Sequence, residues 1–220
     1  LIWKGFTLDN WKNPCGAPEV CNALANSIKI GLLATIFSTI LGTMIAFAIG
    51  RHKFKGRSTS NLLIFLPMAT PEIVLGASLL SLFLVFKINP GFWPTVIAHV
   101  MFCISFVVVT VKARIASLDP RLEQAAMDLY ANEFQTFRRV TLPLVAPGIA
   151  GAALLAFSLS FDDFIITNFN SGTVITFPKF VYTAAARGIP AQANVIGSGM
   201  FFLALAIVIA GQFINRRKAR

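Results

Sequence analysis

Five long apolar stretches, at about residues 23–49, 62–86, 94–111, 146–169 and 194–214, constrain this chain more than any other feature. A hydrocarbon core of ~30 Å takes ~20 helical residues to cross, and every stretch is close to that length or beyond it. None alternates in the ten-residue pattern of a membrane barrel. Backbone groups in lipid must be paired within their own segment, so all five stretches are predicted to be helices. Composition agrees: 56% of the 220 residues are hydrophobic and 13% are charged, about half the charge of a soluble domain. That is too little to cover a soluble surface, and the apolar content rules out disorder. The expected fold class is an all-α membrane protein with five transmembrane helices in this sequence.

The formal charge of +10 raises nucleic acid as a partner, and its placement answers the question. Arg51, Lys53, Lys55 and Arg57 lie between the first two stretches. Lys112, Arg114, Arg121, Arg138 and Arg139 lie between the third and fourth, and Arg216, Arg217, Lys218 and Arg220 end the chain. Thirteen of the 19 Lys and Arg residues therefore fall on one side of the expected membrane. Lys4, Lys12, Lys87, Lys179 and Arg187 fall on the other, with Lys29 just inside the first stretch. The positive-inside rule makes the basic side cytoplasmic, C-terminus included. The charge reports orientation, and no nucleic-acid partner is expected.

Five spans that end inside begin outside. The chain opens on Leu1 without the basic start, apolar middle and small-residue cleavage site of a signal peptide. The expectation is an upstream sixth span leading to Leu1, with a cleaved precursor as the alternative. Residues 1–22 then form an external segment and residues 23–220 the transmembrane domain. Cys15 and Cys21 share that external segment, where a disulfide and two free thiols are both open. Cys103, mid-span, reads as a small buried apolar residue.

The cytoplasmic loop at 112–144 is too long for a simple connection, and it is organised. Asp119 followed by Pro120 is a helix start, a capping oxygen and then a proline at the first helical position. Glu123 adds negative charge to the first turn of a helix expected to reach about Leu129. Asn132 and Gln135 have the spacing of a capping box for a second short helix. On it Phe134, Phe137 and Val140 recur every three residues as an apolar stripe, flanked by Arg138 and Arg139. Such a stripe packs on the protein's own helices, lies in the lipid interface, or meets a partner.

Acids inside a membrane cost at least ~2.5–3.5 kcal/mol near its centre and face a partner or a watery cavity. Glu72 lies ten residues into the second stretch, after Pro67 and Pro71, which remove two backbone donors and should break or kink that helix. An acid at a mid-membrane break is how transporters build cation sites; the competing reading is an acid satisfied by freed backbone groups. Asp162 and Asp163 fall in the outer half of the fourth stretch. Adjacent helical residues point about 100° apart, so one is expected to meet substrate while the other anchors a neighbouring segment. Phe161, Phe164 and Phe169 offer aromatic faces nearby, although lipid-facing or core packing accounts for any one of the 21 Phe as well. His99, alone inside the third stretch, reads as a satisfied packing histidine, and no metal-ligand cluster accompanies it. A short outer helix with Phe177, Phe180, Val181 and Ala184 on one face is expected between Thr176 and Asn194.

The run Gln124-Ala125-Ala126, three residues, Tyr130, nine residues, then Val140-Thr141-Leu142-Pro143 resembles the EAA loop of permease subunits of bacterial ABC importers. The family pattern is Glu-Ala-Ala, three residues, Gly, nine residues, Ile-x-Leu-Pro. Two positions depart from it: Gln124 stands for Glu, with Glu123 beside it as a partial substitute, and Tyr130 stands for Gly. A Gly between two helices adopts a left-handed conformation that costs a side-chain-bearing residue roughly 1 kcal/mol or more. Leu66-Pro67, the run from Pro71 to Gly76, the run from Phe157 to Asp163, and Phe177-Pro178 with the run from Arg187 to Asn194 look like the spermidine/putrescine branch of these permeases. The stretch from Trp3 to Trp11 looks like that branch's external segment after its first span.

The resemblance implies a type I ABC importer permease fold with a sixth N-terminal helix, in a bacterial plasma membrane. It implies that the loop docks in a cleft of an ATPase subunit, with Phe134 and Phe137 as knobs and Arg138 or Arg139 pairing with acids on the rim. Glu123, Gln124, Ala125, Ala126, Tyr130, Leu142 and Pro143 complete the implied coupling surface. The implied substrate contacts are Glu72, Asp162, Asp163 and Phe161, carboxylates for ammonium groups and an aromatic face for a methylene stem. The implied partners are a homologous permease, two ATPase subunits, an external substrate-binding protein and membrane lipid. No GxxxxGK[ST] loop is present in the sequence, so ATP and Mg are expected on the ATPase subunits and no cofactor on this chain. The chain itself is not expected to be an enzyme. Iron, sulfate or an aminophosphonate as the solute, or an ion-coupled carrier or channel using Glu72 and Asp162, are the alternatives.

Overall fold

The computed structural model describes residues 8–52, 54–186 and 188–218. Lys4, Lys53, Arg187 and Arg220, part of the charge pattern, lie outside the described residues, as does the start of the Trp3 to Trp11 stretch. Among the described residues every regular element is helical. In chain order these are α1 (Asp9–Lys12), α2 (Pro18–Arg51), α3 (Arg57–Ala69), α4 (Glu72–Val85), α5 (Phe92–Ala116), α6 (Arg121–Asp128) and α7 (Glu133–Thr136). A π-helical segment (Phe137–Thr141) leads into α8 (Leu142–Asp162), followed by α9 (Ile165–Asn170), α10 (Phe177–Ala185) and α11 (Ala191–Lys218).

Among the described residues, α2, α5 and the run Glu133–Asp162 are each long and apolar enough to cross a membrane, and α3 with α4 passes that test as a pair bent by 106°. The fifth expected span falls on α11, whose 28 residues reach about 42 Å at the helical rise. The chain divides into two units, residues 1–26 with 175–220, and residues 27–174.

In the larger unit α5 is the central helix. It packs on α8 most extensively, and also on α3, α9 and α4. Val107, Val108, Val111, Ala98, Phe102 and Cys103 of α5 are buried against Leu79 and Phe83 of α4 and Ala152 and Ala156 of α8. α2 joins this core at Ala46 and comes closest at Gly42, where a Cβ would sit 2.7 Å from Val107 Cγ1. A small residue lets helices approach in this way. Arg114, near the end of α5, donates from Nε and Nη2 to the Leu144 carbonyl at 3.1 and 2.8 Å and fixes the start of α8.

The predicted break in the second span is present and sharper than a kink. Thr70, forced out of helical geometry by the following proline, is extended at φ −81° and ψ 131°, and α4 restarts after Pro71. Pro67 stays inside α3. The fourth span, expected as one helix over 146–169, is also broken. α8 ends at Asp162, Asp163 is extended at φ −66° and ψ 124°, and α9 restarts at Ile165. The cause is Asp163, whose carboxylate accepts the N–H groups of Ile166 and Thr167 at 3.2 and 2.9 Å, which makes it the cap of a new helix. The 100° argument for the two aspartates therefore does not apply, because they do not share a helix.

In the smaller unit Cys15 and Cys21 form a disulfide. Val20, Ala193 and Ile196 are buried there with Ala17, Leu24, Phe180 and Phe177 around them. The expected outer helix is α10, and Phe177 and Phe180 carry its packing face.

Candidate functional site

The two broken spans meet in the larger unit. α4 packs along α9, and Gly76 makes the approach close: a Cβ there would stand 3.0 Å from the Phe169 ring and 3.3 Å from the Ile166 Cα. Asn170 Nδ2 ties the breaks together by donating to the Gly76 carbonyl at 3.3 Å and the Ile166 carbonyl at 2.9 Å. Glu72 is exposed in the first turn of α4. Each interruption thus carries acids, Glu72 where α4 restarts and Asp162 and Asp163 where α8 gives way to α9.

Their surroundings differ. Asp163 is 8% exposed. Besides capping α9, its Oδ2 lies 3.4 Å from His99 Nε2. His99 is 1% exposed, and it bonds Ser160 Oγ through Nδ1 at 2.7 Å and Thr167 Oγ1 through Nε2 at 2.9 Å. The Thr167 hydroxyl donates to the Asp163 carbonyl at 3.3 Å. A proton on His99 Nε2, with Ser160 donating to Nδ1, satisfies the whole cluster. His99 is the satisfied histidine expected from the sequence, and of the two aspartates Asp163 is the anchor. Asp162 is exposed at the last position of α8. Phe161 beside it is half-buried and stacks on Phe157 with ring centroids 5.8 Å apart.

The cytoplasmic loop folds as two short helices. Asp119 Oδ1 accepts the Arg121 N–H at 2.9 Å and starts α6. The Asn132–Gln135 capping box is complete, at 2.8 and 3.1 Å, and starts α7. Between them Tyr130 has φ 62°, the left-handed conformation that the family pattern assigns to Gly. Its side chain is 99% exposed. Phe134 is 68% exposed, and Gln124, Ala125, Arg138, Arg139 and Pro143 are exposed with it, while Ala126 and Leu142 are half-buried. Phe137, 38% exposed, makes an edge contact with Phe47 of α2, ring centroids 5.2 Å apart. Glu123 is turned inward, paired with Arg51 and bonded to Thr141. Sequence reading missed Arg51, Ser160 and Thr167. Ser160 had a legible signal, a hydroxyl two residues before a membrane acid; Arg51 had none, because its partner is 72 residues away.

Comparison with known proteins follows the same lines. Residues 38–217 match the model of the family described as binding-protein-dependent transport system inner membrane component. The spermidine/putrescine transport system permease protein PotC of Haemophilus influenzae is 34% identical over 218 residues, covering 99% of this chain and 85% of that protein. The putrescine transport system permease protein PotI of Escherichia coli is 32% identical over 206 residues, covering 90% and 73%. Among solved structures, an amino acid ABC transporter crystallised with histidines aligns with a TM-score of 0.68 at 19% identity, over 96% of this chain and 100% of that one. A bacterial ABC transporter involved in alginate import aligns with a TM-score of 0.72 at 17% identity, over 97% and 85%. With the family model spanning most of the chain and relatives matching along nearly all of it, this protein belongs to the binding-protein-dependent transport system inner membrane components and has the type I ABC importer permease fold.

Proposed function

We propose that this chain is a permease subunit of an ATP-driven importer that carries polyamines into the cytoplasm by alternating access. The observation that carries the substrate class is Asp162. Exposed at the last position of α8, its carboxylate meets the negative pole of the helix dipole. In an apolar span that arrangement is relieved by a cation, and Phe161 next to it presents an aromatic face to the methylene stem of one. The printed names of the relatives, spermidine/putrescine and putrescine permeases, point to the same chemistry.

In this reading residues 23–220 are the transmembrane domain, residues 1–22 lie outside, and the loop at 112–144 and the C-terminus face the cytoplasm of a bacterium. Tyr130, Phe134, Gln124, Ala125, Arg138 and Arg139 form the surface offered to an ATPase subunit. A homologous permease, two ATPase subunits and an external binding protein complete the assembly, with membrane lipid around it. ATP and Mg belong to the ATPase subunits, which supply the free energy that this chain transmits.

The test is uptake of radiolabelled spermidine and putrescine by cells carrying the full transport system, with unlabelled iron, sulfate and aminophosphonate as competitors. Native cells should take up at least one polyamine without competition from the other solutes. Asp162→Asn should lower uptake at unchanged protein level, and Glu72→Gln should lower it less, because the first turn of α4 already favours a negative charge. A native assembly that hydrolyses ATP and imports neither polyamine would overturn the substrate class.

A further inference from the structure

The cytoplasmic end of α2 carries Phe47 and Arg51, four residues apart and so on one helix face, and both reach into the loop formed by α6 and α7. Phe47 meets Phe137 of the π-helical segment. Arg51 closes a bidentate ion pair on Glu123 of α6: Nη1 donates to Oε2 at 2.6 Å and Nη2 donates to Oε1. Oε1 also accepts the Thr141 hydroxyl at 2.5 Å. One carboxylate thus joins three elements, α2, α6 and the last residue of the π-helical segment from which α8 departs. Both of its oxygens are engaged within the chain. The same residues wall a cavity of about 620 Å³, together with His52, Met127, Glu133 and Thr136. With open volume between α2 and the loop, the ion pair and the Phe47–Phe137 contact are what bridge it.

An ion pair on an open surface contributes little, and this one differs in two respects. Its side chains are only 29% and 23% exposed, which limits screening. Its planar fork fixes the orientation of α6 on α2 as well as the distance, which a point charge does not. The π-helical turn at Phe137–Thr141 adds a local irregularity of the kind that recurs at functional positions.

We propose that Arg51 is a positioning residue for energy coupling, and that the Arg51–Glu123–Thr141 joint delivers displacement of the loop to α2, so that α2 and α8 move as one when the ATPase subunits close. This rests on the importer reading above. A loop held only by its covalent connections to α5 and α8 would leave α2 to follow passively; the joint makes it follow directly.

The experiment uses the full complex in proteoliposomes, with its binding protein and radiolabelled spermidine or putrescine, and reads solute imported per ATP hydrolysed. Arg51→Gln is expected to lower that ratio by about fivefold or more, with the ATPase subunit still co-purifying. Arg51→Lys should fall between, because an ammonium cannot make both parallel bonds. Exchanging the charges in Arg51→Glu with Glu123→Arg should recover most of the ratio, which a general loss of folding does not allow. A native ratio in Arg51→Gln, or a charge exchange as poor as the single variants, overturns the proposal. Loss of the ATPase subunit from Arg51→Gln overturns it too, by making the pair an assembly contact. If the native chain brings no ATPase subunit with it, the importer reading itself fails, and that result is distinct from the others.

Discussion

Asp162 and Asp163 are chemically identical neighbours, and the structure predicts opposite consequences for changing them. Asp163→Ala removes the oxygens that cap α9 at Ile166 and Thr167, a loss of about 1 kcal/mol for a helix cap. It also takes the carboxylate from His99 Nε2, leaving a buried polar group less well satisfied at about 1–3 kcal/mol. The two together come to about 2–4 kcal/mol. At 2–4 °C per kcal/mol for a chain of this size, the melting midpoint should fall by roughly 4–16 °C. Asp163→Asn keeps a capping oxygen as good as the native one and should lose about 1 kcal/mol through the weaker acceptor facing His99. Asp162→Asn changes an exposed side chain and should stay within about 0.5 kcal/mol of native, while uptake falls. The assay is thermal unfolding of the detergent-solubilised complex, alongside polyamine uptake in cells. An Asp163→Ala complex that melts within about 2 °C of native would refute the assignment of Asp163 as the structural carboxylate.

Two further outcomes follow from backbone geometry. Tyr130→Gly removes a side chain that is 99% exposed from a residue at φ 62°; it should raise the melting midpoint by roughly 2–4 °C for about 1 kcal/mol of relieved strain, and substrate-stimulated ATPase activity should hold or rise. A large loss of that activity would mean that the tyrosine itself is used by the partner. Gly42→Val places a Cβ 2.7 Å from Val107 Cγ1 and should destabilise by about 1–3 kcal/mol through overpacking, read as lower yield and melting midpoint; a variant as stable as native would show that α2 does not approach α5 there.

How much of this was legible depended on how far apart the cooperating residues lie. The length of the apolar runs located the spans, because an apolar helix is specified by its own residues. The loop was legible for the same reason: Asp119 with Pro120 and Asn132 with Gln135 are local signals, and both caps form. The left-handed residue at Tyr130 followed from spacing against a family pattern, since a two-helix turn needs that conformation whatever side chain fills it. The break at Pro71 was written in prolines. The break at Asp163 was not, because an aspartate in an apolar run is equally an acid facing a cavity; part of what holds it as the anchor is His99, 64 positions away. The motif places Glu123 on the coupling surface, and what its spacing does not carry is the tie to Arg51 and Thr141, on separate elements.

A broken helix in a membrane must have its freed backbone groups satisfied by the protein, since lipid offers nothing. That requirement sorts the three acids better than their burial in the sequence does. Asp163 is consumed by it: both oxygens accept backbone N–H groups and one faces an imidazole. Glu72 sits in the first turn of α4, where the exposed amides at the helix start favour its charge without any ligand. Asp162 alone stands at a helix end that disfavours it. On the proposed importer reading, a carboxylate at such a helix end is the one expected to bind a passing ammonium group and to give it up again when the surroundings change. A transport site needs both properties, because a cation that is not released is not delivered. The anchor and the proposed transient contact are neighbours at one break: Asp163 caps the helix that restarts, and Asp162 ends the helix that stops.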